Sequence, residues 1–172
     1  MQKTINADDL TLRPLTVADL SWLKDFWNLA EVNRNTGSIP ASVNEDFVRD
    51  RIEKAKGGEE AQTHIVRLIE TEGQPAGVIS IERANPRDAY SLGYAIHPDS
   101  WGKGIATKAG QALLDWTDKF ISPAYYVSGH FTDNPASGRV LKKLGFLPCW
   151  RGPVFSIARD EIVDHLYMSR LI

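Results

Sequence analysis

The stretch HPDSWGKGIAT, residues His97–Thr107, lies between a predicted strand and a predicted helix and decides how the rest of the chain is interpreted. Gly102 and Gly104 carry no side chains that would keep a ligand away from the backbone. The helix that follows adds unpaired backbone N–H groups and the positive end of its dipole. We therefore predict that the backbone of this loop binds a pyrophosphate.

The glycine spacing excludes two other kinds of phosphate loop. A nucleotide-hydrolysing P-loop needs Gly-x-x-x-x-Gly-Lys-Ser/Thr, which Gly102-Lys103-Gly104 does not supply. A dinucleotide fingerprint needs a third glycine three residues after Gly104, where this chain has Thr107, and this counts against NAD. Taken alone, the segment is equally compatible with an ordinary glycine turn into a helix.

Hydrophobic patterns extend the prediction in both directions from the loop. Before it, Ser91–Ile96 alternates as a half-buried strand, and after it Ile105–Phe120 has the periodicity of an amphipathic helix. A strand over Ala124–Phe131 follows, and Asn134 caps a helix that ends before Gly145. The other predicted elements are strands at 10–13, 64–69, 76–81, 153–158 and 165–171, a helix that opens with Thr16 and Asp19, and a helix from Ser42 to Gly57-Gly58.

The predicted order of elements is βααβββαβαββ. Short connections between neighbouring strands favour antiparallel pairing, while the two late helices cross between strands and imply a parallel step. The predicted fold class is therefore α/β in the broad sense, and more narrowly α+β, because most of the sheet is expected to be antiparallel. Residues 1–172 are expected to form a single domain with a mixed, mostly antiparallel central sheet flanked by helices.

Composition limits the classes of function. The 172 residues, 42% of them hydrophobic, suffice for one substantial core, and a net charge of −2 offers no basic field for nucleic acid. The single cysteine, Cys149, rules out an internal disulfide framework and fits a reducing compartment. Met1–Asn6 lacks the apolar core of a secretory signal, and no window reaches membrane-spanning length. We expect a cytoplasmic protein that binds neither a membrane nor a metal.

Two motifs carry a resemblance to a known superfamily. Asn134-Pro135-Ala136-Ser137, followed by Val140–Phe146, resembles the cofactor-side helix of the GNAT acetyltransferases. The loop Trp101–Ala106 resembles their pyrophosphate loop, written Gln/Arg-x-x-Gly-x-Gly/Ala. Gly93–Pro98 together with Trp101–Gly104 resembles the branch that includes the ribosomal-protein N-terminal acetyltransferases.

The resemblance implies an N-acetyltransferase that moves an acetyl group from acetyl-CoA, its co-substrate, to a primary amine in a ternary complex. It implies that the backbone of Ile96 pairs with the pantetheine arm and that the loop amides hold the pyrophosphate. Trp101 stands where many members carry Gln or Arg. The implied cofactor-binding residues are Ile96, Trp101, Gly102, Lys103, Gly104, Ile105, Ala106, Thr107, Asn134 and Lys142.

Several of these assignments have structural alternatives. Asn134 is implied to bind the pantetheine amides, but a plain helix cap also explains it. Ser137 is the implied catalytic proton donor to the departing thiolate, or else a solvent-facing helix serine. Arg139, Lys142 and Lys143 share one helix face, which suits either the nucleotide 3′-phosphate or solvent.

Acyl transfer from a thioester to an amine also needs a base. Some relatives carry a carboxylate on the late hairpin, but Val154–Ala158 has none. Glu82, at the end of a central strand, is the first catalytic candidate and His130 the second, although a surface or core role explains each as well. His97 is compatible with shaping the loop. Cys149 lies past the motif helix, which favours direct transfer over an acetyl-cysteine.

The acceptor site is expected between the first two helices and the late hairpin. The aromatic candidates for its lining, or alternatively for the core, are Trp22, Phe26, Trp27, Phe155 and Tyr167. Neither charge nor pattern separates a protein N-terminus from a small-molecule amine as acceptor, or a monomer from a homodimer. The alternative function is a non-catalytic acyl-CoA-binding regulatory module on the same fold.

Overall fold

A central sheet of eight strands organises the computed structural model of the chain, which describes residues 3–84 and 88–172. The strands are β1 (Ile5–Ala7), β2 (Leu10–Arg13), β3 (His64–Thr71), β4 (Gln74–Ala84), β5 (Ala89–Ile96), β6 (Tyr125–Phe131), β7 (Leu147–Ser156) and β8 (Glu161–Leu171). The helices are α1 (Leu20–Asn28), α2 (Ala30–Asn33), α3 (Glu45–Glu60), α4 (Ile105–Phe120) and α5 (Pro135–Lys143). None of the described helices combines the length and the apolar composition that crossing a membrane requires. Met1 and Gln2, which begin the segment without a signal pattern, lie outside the described residues.

The sheet order is β1-β2-β3-β4-β5-β6-β8-β7, and every neighbouring pair is antiparallel except β5 and β6. This confirms the predicted mixed, mostly antiparallel sheet. The parallel pair is joined through α4, as a crossover connection requires. The second late helix, α5, creates no parallel pair, because it leads to β7 at the edge and β8 returns antiparallel between β7 and β6.

Helix α3 differs from its prediction at both ends. Its N-terminal cap is Asn44 rather than Ser42, and the Asn44 side chain accepts a backbone N–H at 2.9 Å. Gly57-Gly58 does not end the helix, which continues to Glu60. The residue after the two glycines, Glu59, forms a buried ion pair with Arg67 of β3 at 2.8 Å, and this pair holds the last turn against the sheet. A Cβ on Gly58 would lie 2.6 Å from a β3 side-chain atom, so glycine there allows the helix and the strand to approach closely.

Two apolar clusters pack on opposite faces of the sheet. The cluster under α4 and α5 includes Ile79 of β4 together with Leu113 and Leu141. The cluster under α1 and α3 includes Leu23, with Val78 of β4 packed against it. Neighbouring residues of β4 thus serve different layers, because strand side chains alternate between faces. The two helical layers hold the sheet from both sides and fix the ends of β5 and β6 between them.

Strands β5 and β6 pair only at their beginnings, where Ala89–Ser91 lies beside Tyr125–Val127. Ser128 Oγ still donates to the Leu92 carbonyl at 2.7 Å. Beyond this point, within the described residues, β5 continues to Ile96 without a strand partner on that side, so the two strands diverge. Such an opening at the carboxyl ends of parallel strands is where ligands bind in α/β sheets.

Candidate active site

The loop His97–Thr107 leads from β5 into α4 through two glycines with left-handed backbone conformations. Gly102 has a φ of +75° and Gly104, the N-cap of α4, a φ of +76°, which residues with a Cβ rarely adopt. Within the described chain, the N–H groups of residues 102–106 have no backbone acceptor, whereas the Thr107 N–H donates to the Gly104 carbonyl at 3.1 Å. The loop therefore presents a run of free amides at a helix N-terminus, and the Thr107 amide is not one of them.

A cavity of about 380 Å³, here called the loop cavity, lies between this loop, the end of β5 and α5. The sequence-predicted residues that line it are Ile96, Trp101, Gly102, Gly104, Ile105, Ala106, Thr107, Asn134 and Ser137. Lys103 and Lys142 do not line it. On α5 the lining face repeats at helical spacing through Ala136, Arg139, Val140 and Lys143, so Arg139 and Lys143 are the basic side chains that face the cavity.

Trp101 closes one side of the loop cavity with a hydrogen bond that the sequence did not reveal. Its indole Nε1–H donates to the Ile96 carbonyl at 2.8 Å, and the residue remains 51% exposed. Ile96 is the residue whose backbone was expected to pair with a pantetheine arm. A ligand N–H that binds the Ile96 carbonyl therefore competes with the indole for this oxygen.

The first turn of α5 carries a short hydrogen-bond network. The Asn134 side chain accepts the Ser137 N–H at 3.3 Å, so the helix-cap role of Asn134 is formed, and Asn134 also lines the loop cavity. The Ser137 hydroxyl lies 2.8 Å from the Tyr94 hydroxyl, and Tyr94 donates to the Ser137 carbonyl at 2.9 Å. Since Tyr94 has one proton and directs it at that carbonyl, the Ser137 hydroxyl is the donor between the two. Ser137 is therefore held in a network and does not face solvent alone.

Tyr94 is a site residue that sequence reasoning missed. Burial raises the pKa of Tyr94 to about 12, although the hydrogen bond with Ser137 opposes the shift. The phenol therefore stays protonated at neutral pH. In the sequence Tyr94 was only one position of an alternating strand, and no local signal links it to a helix 43 residues further along the chain.

A second cavity of about 310 Å³, here called the histidine cavity, lies on the other side of this network. It shares Asn35, Thr36, Tyr94, Ala95 and Ser137 with the loop cavity. Three of the four histidines line it, namely His64, His130 and His165. Among the described residues that form its wall, none is Asp or Glu, and Arg51 is the one arginine or lysine.

The acceptor region draws on the predicted elements but on other side chains. Trp27 of α1 lines the histidine cavity, as do Phe47 and Arg51 of α3, Val154 of β7 and His165 of β8. The other four aromatic candidates, Trp22, Phe26, Phe155 and Tyr167, do not line it. Three of them stack on other aromatic rings: the ring centroids of Trp22 and Phe26 lie 4.7 Å apart, and those of Tyr167 and Trp150 lie 4.2 Å apart. Phe155 is 53% exposed to solvent.

The two candidates for the base, Glu82 and His130, lie at different places relative to the cavities. Glu82 is exposed on β4 and lines neither cavity, although its cross-strand partner His64 lines the histidine cavity. His130 lines that cavity and places Nδ1 2.8 Å from the Phe131 carbonyl. A Cβ on Gly138, the neighbour of Ser137, would lie 2.5 Å from His130 Nε2. The structure thus brings His130, and not Glu82, to the first turn of α5.

Two histidines of this cavity have lowered pKa values. Burial lowers the pKa of His165, and the nearby His130 acts in the same direction. Burial also lowers the pKa of His64, where Glu82 opposes the shift and Arg51 adds to it. His165 Nδ1 is buried without a hydrogen-bond partner in the described structure. Both rings are therefore neutral near pH 7 and can accept a proton.

Two remaining sequence candidates lie outside the cavities. His97 stacks on Phe26 with ring centroids 6.1 Å apart, and its Nδ1 accepts the Asp99 N–H at 3.3 Å, so it shapes the start of the loop. Cys149 is exposed on β7, with Sγ 3.0 Å from Ser169 Oγ. Over residues 3–84 and 88–172, no three His, Cys, Asp or Glu side chains are grouped so that they could hold a metal ion.

Comparisons with known proteins show which family and fold this chain resembles. A profile of the acetyltransferase (GNAT) domain matches residues 9–147. The uncharacterized N-acetyltransferase p20 of Bacillus licheniformis is 24% identical over 175 aligned positions, which cover 99% of this chain and 96% of that protein. Two solved structures superpose with a TM-score of 0.86 at 20% identity. One is the ribosomal L7/L12 alpha-N-protein acetyltransferase RimL in complex with coenzyme A, with 98% of each chain covered. The other is an acetyltransferase from Salmonella typhimurium that modifies the N-terminal serine of the 50S subunit protein L7/L12, with 98% of this chain and 99% of that chain covered.

Proposed function

The chain belongs to the GNAT family of acetyltransferases and is an acetyl-CoA-dependent enzyme, and from this premise we propose that it transfers the acetyl group directly to a primary amine in a ternary complex. One observation carries the proposal: the loop cavity and the histidine cavity share five wall residues, namely Asn35, Thr36, Tyr94, Ala95 and Ser137. A thioester bound in one cavity and an amine bound in the other would face each other across these residues. Such positioning removes much of the entropic barrier to a bimolecular reaction.

The loop cavity is the proposed binding site for acetyl-CoA. The free amides of residues 102–106 and the N-terminus of α4 suit the pyrophosphate. Arg139 and Lys143 on the lining face of α5 supply positive charge for a further phosphate. The structurally similar RimL is a complex with coenzyme A, which supports this assignment.

The leaving sulfur needs a proton, and Ser137 is the proposed donor. Its hydroxyl stands in the wall between the cavities and is hydrogen-bonded to Tyr94 at 2.8 Å. Because burial raises the pKa of Tyr94 to about 12, the phenol stays protonated and accepts from the Ser137 hydroxyl, which holds Ser137 in the wall between the cavities. The Ser137 proton turns from Tyr94 to the departing sulfur, and solvent returns a proton to Ser137 after transfer. The nitrogen–carbon bond forms as the carbon–sulfur bond breaks, the amine loses one proton, and the thiolate gains one.

The base that takes the proton from the amine is proposed to be His130. Its Nδ1 lies at the Phe131 carbonyl, which favours the tautomer with the proton on Nδ1 and leaves the Nε2 lone pair on the side of α5. The wall of the histidine cavity in the described structure offers no carboxylate for this role. Glu82 is the weaker candidate, because its exposed side chain lines neither cavity.

The acceptor is an amine, either a protein N-terminus or a small molecule. The Salmonella protein that superposes on this chain modifies an N-terminal serine, which supports the first class. A volume of about 310 Å³ is at the small end for ligand pockets and suits one or two residues of a peptide or a small amine. The single cysteine is compatible with the reducing cytoplasm, which we infer as the location of the enzyme.

A thiol-release assay with acetyl-CoA tests the proposal directly. The acceptors are a panel of small amines and N-terminal peptides, and CoA binding is measured in parallel by calorimetry. We expect CoA to bind and at least one amine to be acetylated. If CoA bound without turnover on any amine, the acyl-CoA-binding module would replace the enzyme; if CoA did not bind at all, the assignment of the loop cavity would fail.

A further inference from the structure

Two arginines differ from all others in the described part of the chain. The remaining arginines form ion pairs with carboxylates of the protein, namely Arg13, Arg34, Arg49, Arg67, Arg83, Arg151, Arg159 and Arg170. Arg51 and Arg139 form no such pair within the described residues, and each lines one of the two cavities. Arg139 faces the loop cavity, for which an anionic ligand is proposed. Arg51 lines the histidine cavity, and like Arg139 its charge is not paired with a carboxylate of the described residues.

The Arg51 guanidinium is held in place without being neutralised. One of its nitrogens donates to the Ser38 carbonyl at 2.9 Å, and its central carbon lies 5.0 Å from the centroid of the Phe47 ring. These contacts orient the planar group but leave other N–H donors and the full positive charge for a ligand. A fixed guanidinium of this kind suits bidentate binding of a carboxylate.

The charge of the histidine cavity also favours an anionic ligand group. In the described structure its wall carries Arg51 and three histidines and no Asp or Glu. A cationic amine without an anionic group would find no countercharge there, whereas an amine that also carries a carboxylate would be attracted and oriented.

We propose that the natural acceptor is an amine that carries a carboxylate, and that Arg51 binds this carboxylate while the amine faces the wall at Tyr94 and Ser137. The inference rests on the proposed function and narrows its substrate class. The carboxylate belongs either to a small amino acid or to an acidic side chain next to the N-terminus of a peptide.

Matched acceptor pairs test the inference in both forms. For the small molecules, alanine and γ-aminobutyrate are compared with their primary amides. For the peptides, Ala-Asp-Gly-amide is compared with Ala-Asn-Gly-amide. Each pair is assayed with the native enzyme, with Arg51→Gln, with Arg51→Lys, and with the control Arg49→Gln. The control removes the same charge from the same helix, where Arg49 is exposed and pairs with Glu45 at 3.9 Å.

We expect the native enzyme to favour the carboxylate member of at least one pair. Arg51→Gln should raise KM for that member about 10- to 100-fold, with kcat changed less than about threefold, because a charge-assisted bidentate contact is lost. Activity on the amide members, affinity for CoA and all values for Arg49→Gln should stay near native. Arg51→Lys should recover part of the loss. Because ratios are compared between variants, the different basicities of the acceptors cancel.

Other outcomes overturn the inference. These are equal native activity on both members of every pair, a loss in Arg51→Gln that affects carboxylate and amide acceptors alike, and turnover only on amines without a carboxylate. In each of these cases CoA binding and turnover on an amine still stand, so the proposed function survives. If the native enzyme bound CoA but acetylated no acceptor, both the inference and the transferase proposal would fall.

Discussion

The two cavities are built in different ways. The loop cavity takes most of its wall from two segments, the end of β5 with the following loop and start of α4, and α5 with its cap. Its proposed phosphate ligands are backbone amides held by the two left-handed glycines. The histidine cavity takes its wall from α1, the segment 35–39, α3, strands β3 to β8 and Ser137 of α5, and its charged and titratable groups are side chains. One cavity is therefore a property of local chain geometry and the other of tertiary packing.

This difference predicts how each cavity tolerates change. A backbone site is insensitive to the identity of most side chains but fails when the backbone conformation or its open approach is lost. A side-chain site changes its preference when one residue changes, while the fold remains. The same enzyme can thus keep its acyl donor and vary its acceptor.

The largest expected effect comes from Gly104→Asp. The substitution places a Cβ at a φ of +76° and a carboxylate where the pyrophosphate is proposed to bind, so strain and charge repulsion act together. We expect the Kd of CoA, measured by calorimetry, to rise at least about 1,000-fold. The matched control is Gly73→Asp in the turn between β3 and β4, where φ is +73° and an added Cβ also meets nothing within 4 Å. If both variants weakened CoA binding equally, general destabilisation rather than the loop would be responsible.

The same contrast explains what could be predicted from the sequence. The spacing of Gly102 and Gly104 before an amphipathic helix, and the cap Asn134-Pro135, encode local conformations, and the structure forms them at those positions. Lys142, predicted to bind the cofactor, does not line the loop cavity, because the face of α5 that meets the cavity depends on how the helix packs.

The acceptor side could not be predicted residue by residue. Of five aromatic candidates only Trp27 lines the histidine cavity, since aromatic residues serve cores and pockets alike. The contact between Tyr94 and Ser137 spans 43 residues, and no single segment contains it. Arg51 could not be distinguished from other arginines until the ion pairs of the fold were known.

The second prediction concerns the wall between the cavities. Ser137→Ala removes the proposed proton donor but keeps the helix cap, because the cap uses the Ser137 backbone N–H. We expect kcat to fall about 100-fold, in the range of general-acid contributions, and the Kd of CoA to change less than about threefold. The comparison variant is Ser169→Ala. It removes a hydroxyl that contacts Cys149 outside both cavities. A loss of CoA affinity as large as the loss of kcat would assign Ser137 to binding and not to proton transfer.

The third prediction concerns Trp101, a side chain in the otherwise backbone-dominated loop cavity. Its indole Nε1–H donates to the Ile96 carbonyl at 2.8 Å and competes there with a pantetheine amide. Trp101→Phe keeps a large ring but removes the competing donor. Because a net hydrogen bond contributes about 0.5–1.5 kcal/mol, we expect CoA to bind about 2- to 10-fold more tightly to the variant by calorimetry. Weaker binding would show that the indole contacts the ligand instead of competing with it.

The smallest expected effect is a dependence of stability on pH that belongs to the histidine cavity. His64 and His165 have pKa values below the ordinary value near 6.5, mainly because burial disfavours their charged forms. The unfolded chain therefore binds more protons than the folded chain between the lowered pKa values and about pH 6.5. As the pH falls through this window the free energy of unfolding decreases, and each histidine changes the unfolding equilibrium constant at most about tenfold per pH unit.

Urea unfolding at a series of pH values between about 7.5 and 5 measures this slope. The double variant His64→Gln, His165→Gln should have a shallower slope than the native enzyme, whatever its absolute stability. His97→Gln is the control, because His97 lies outside the cavity against Phe26. An unchanged slope in the double variant would mean that the two rings are as accessible to protons in the folded chain as in the unfolded one. The pKa values of His64 and His165 would then lie near the ordinary value of about 6.5, and the burial of the two rings in the acceptor side would lose its support.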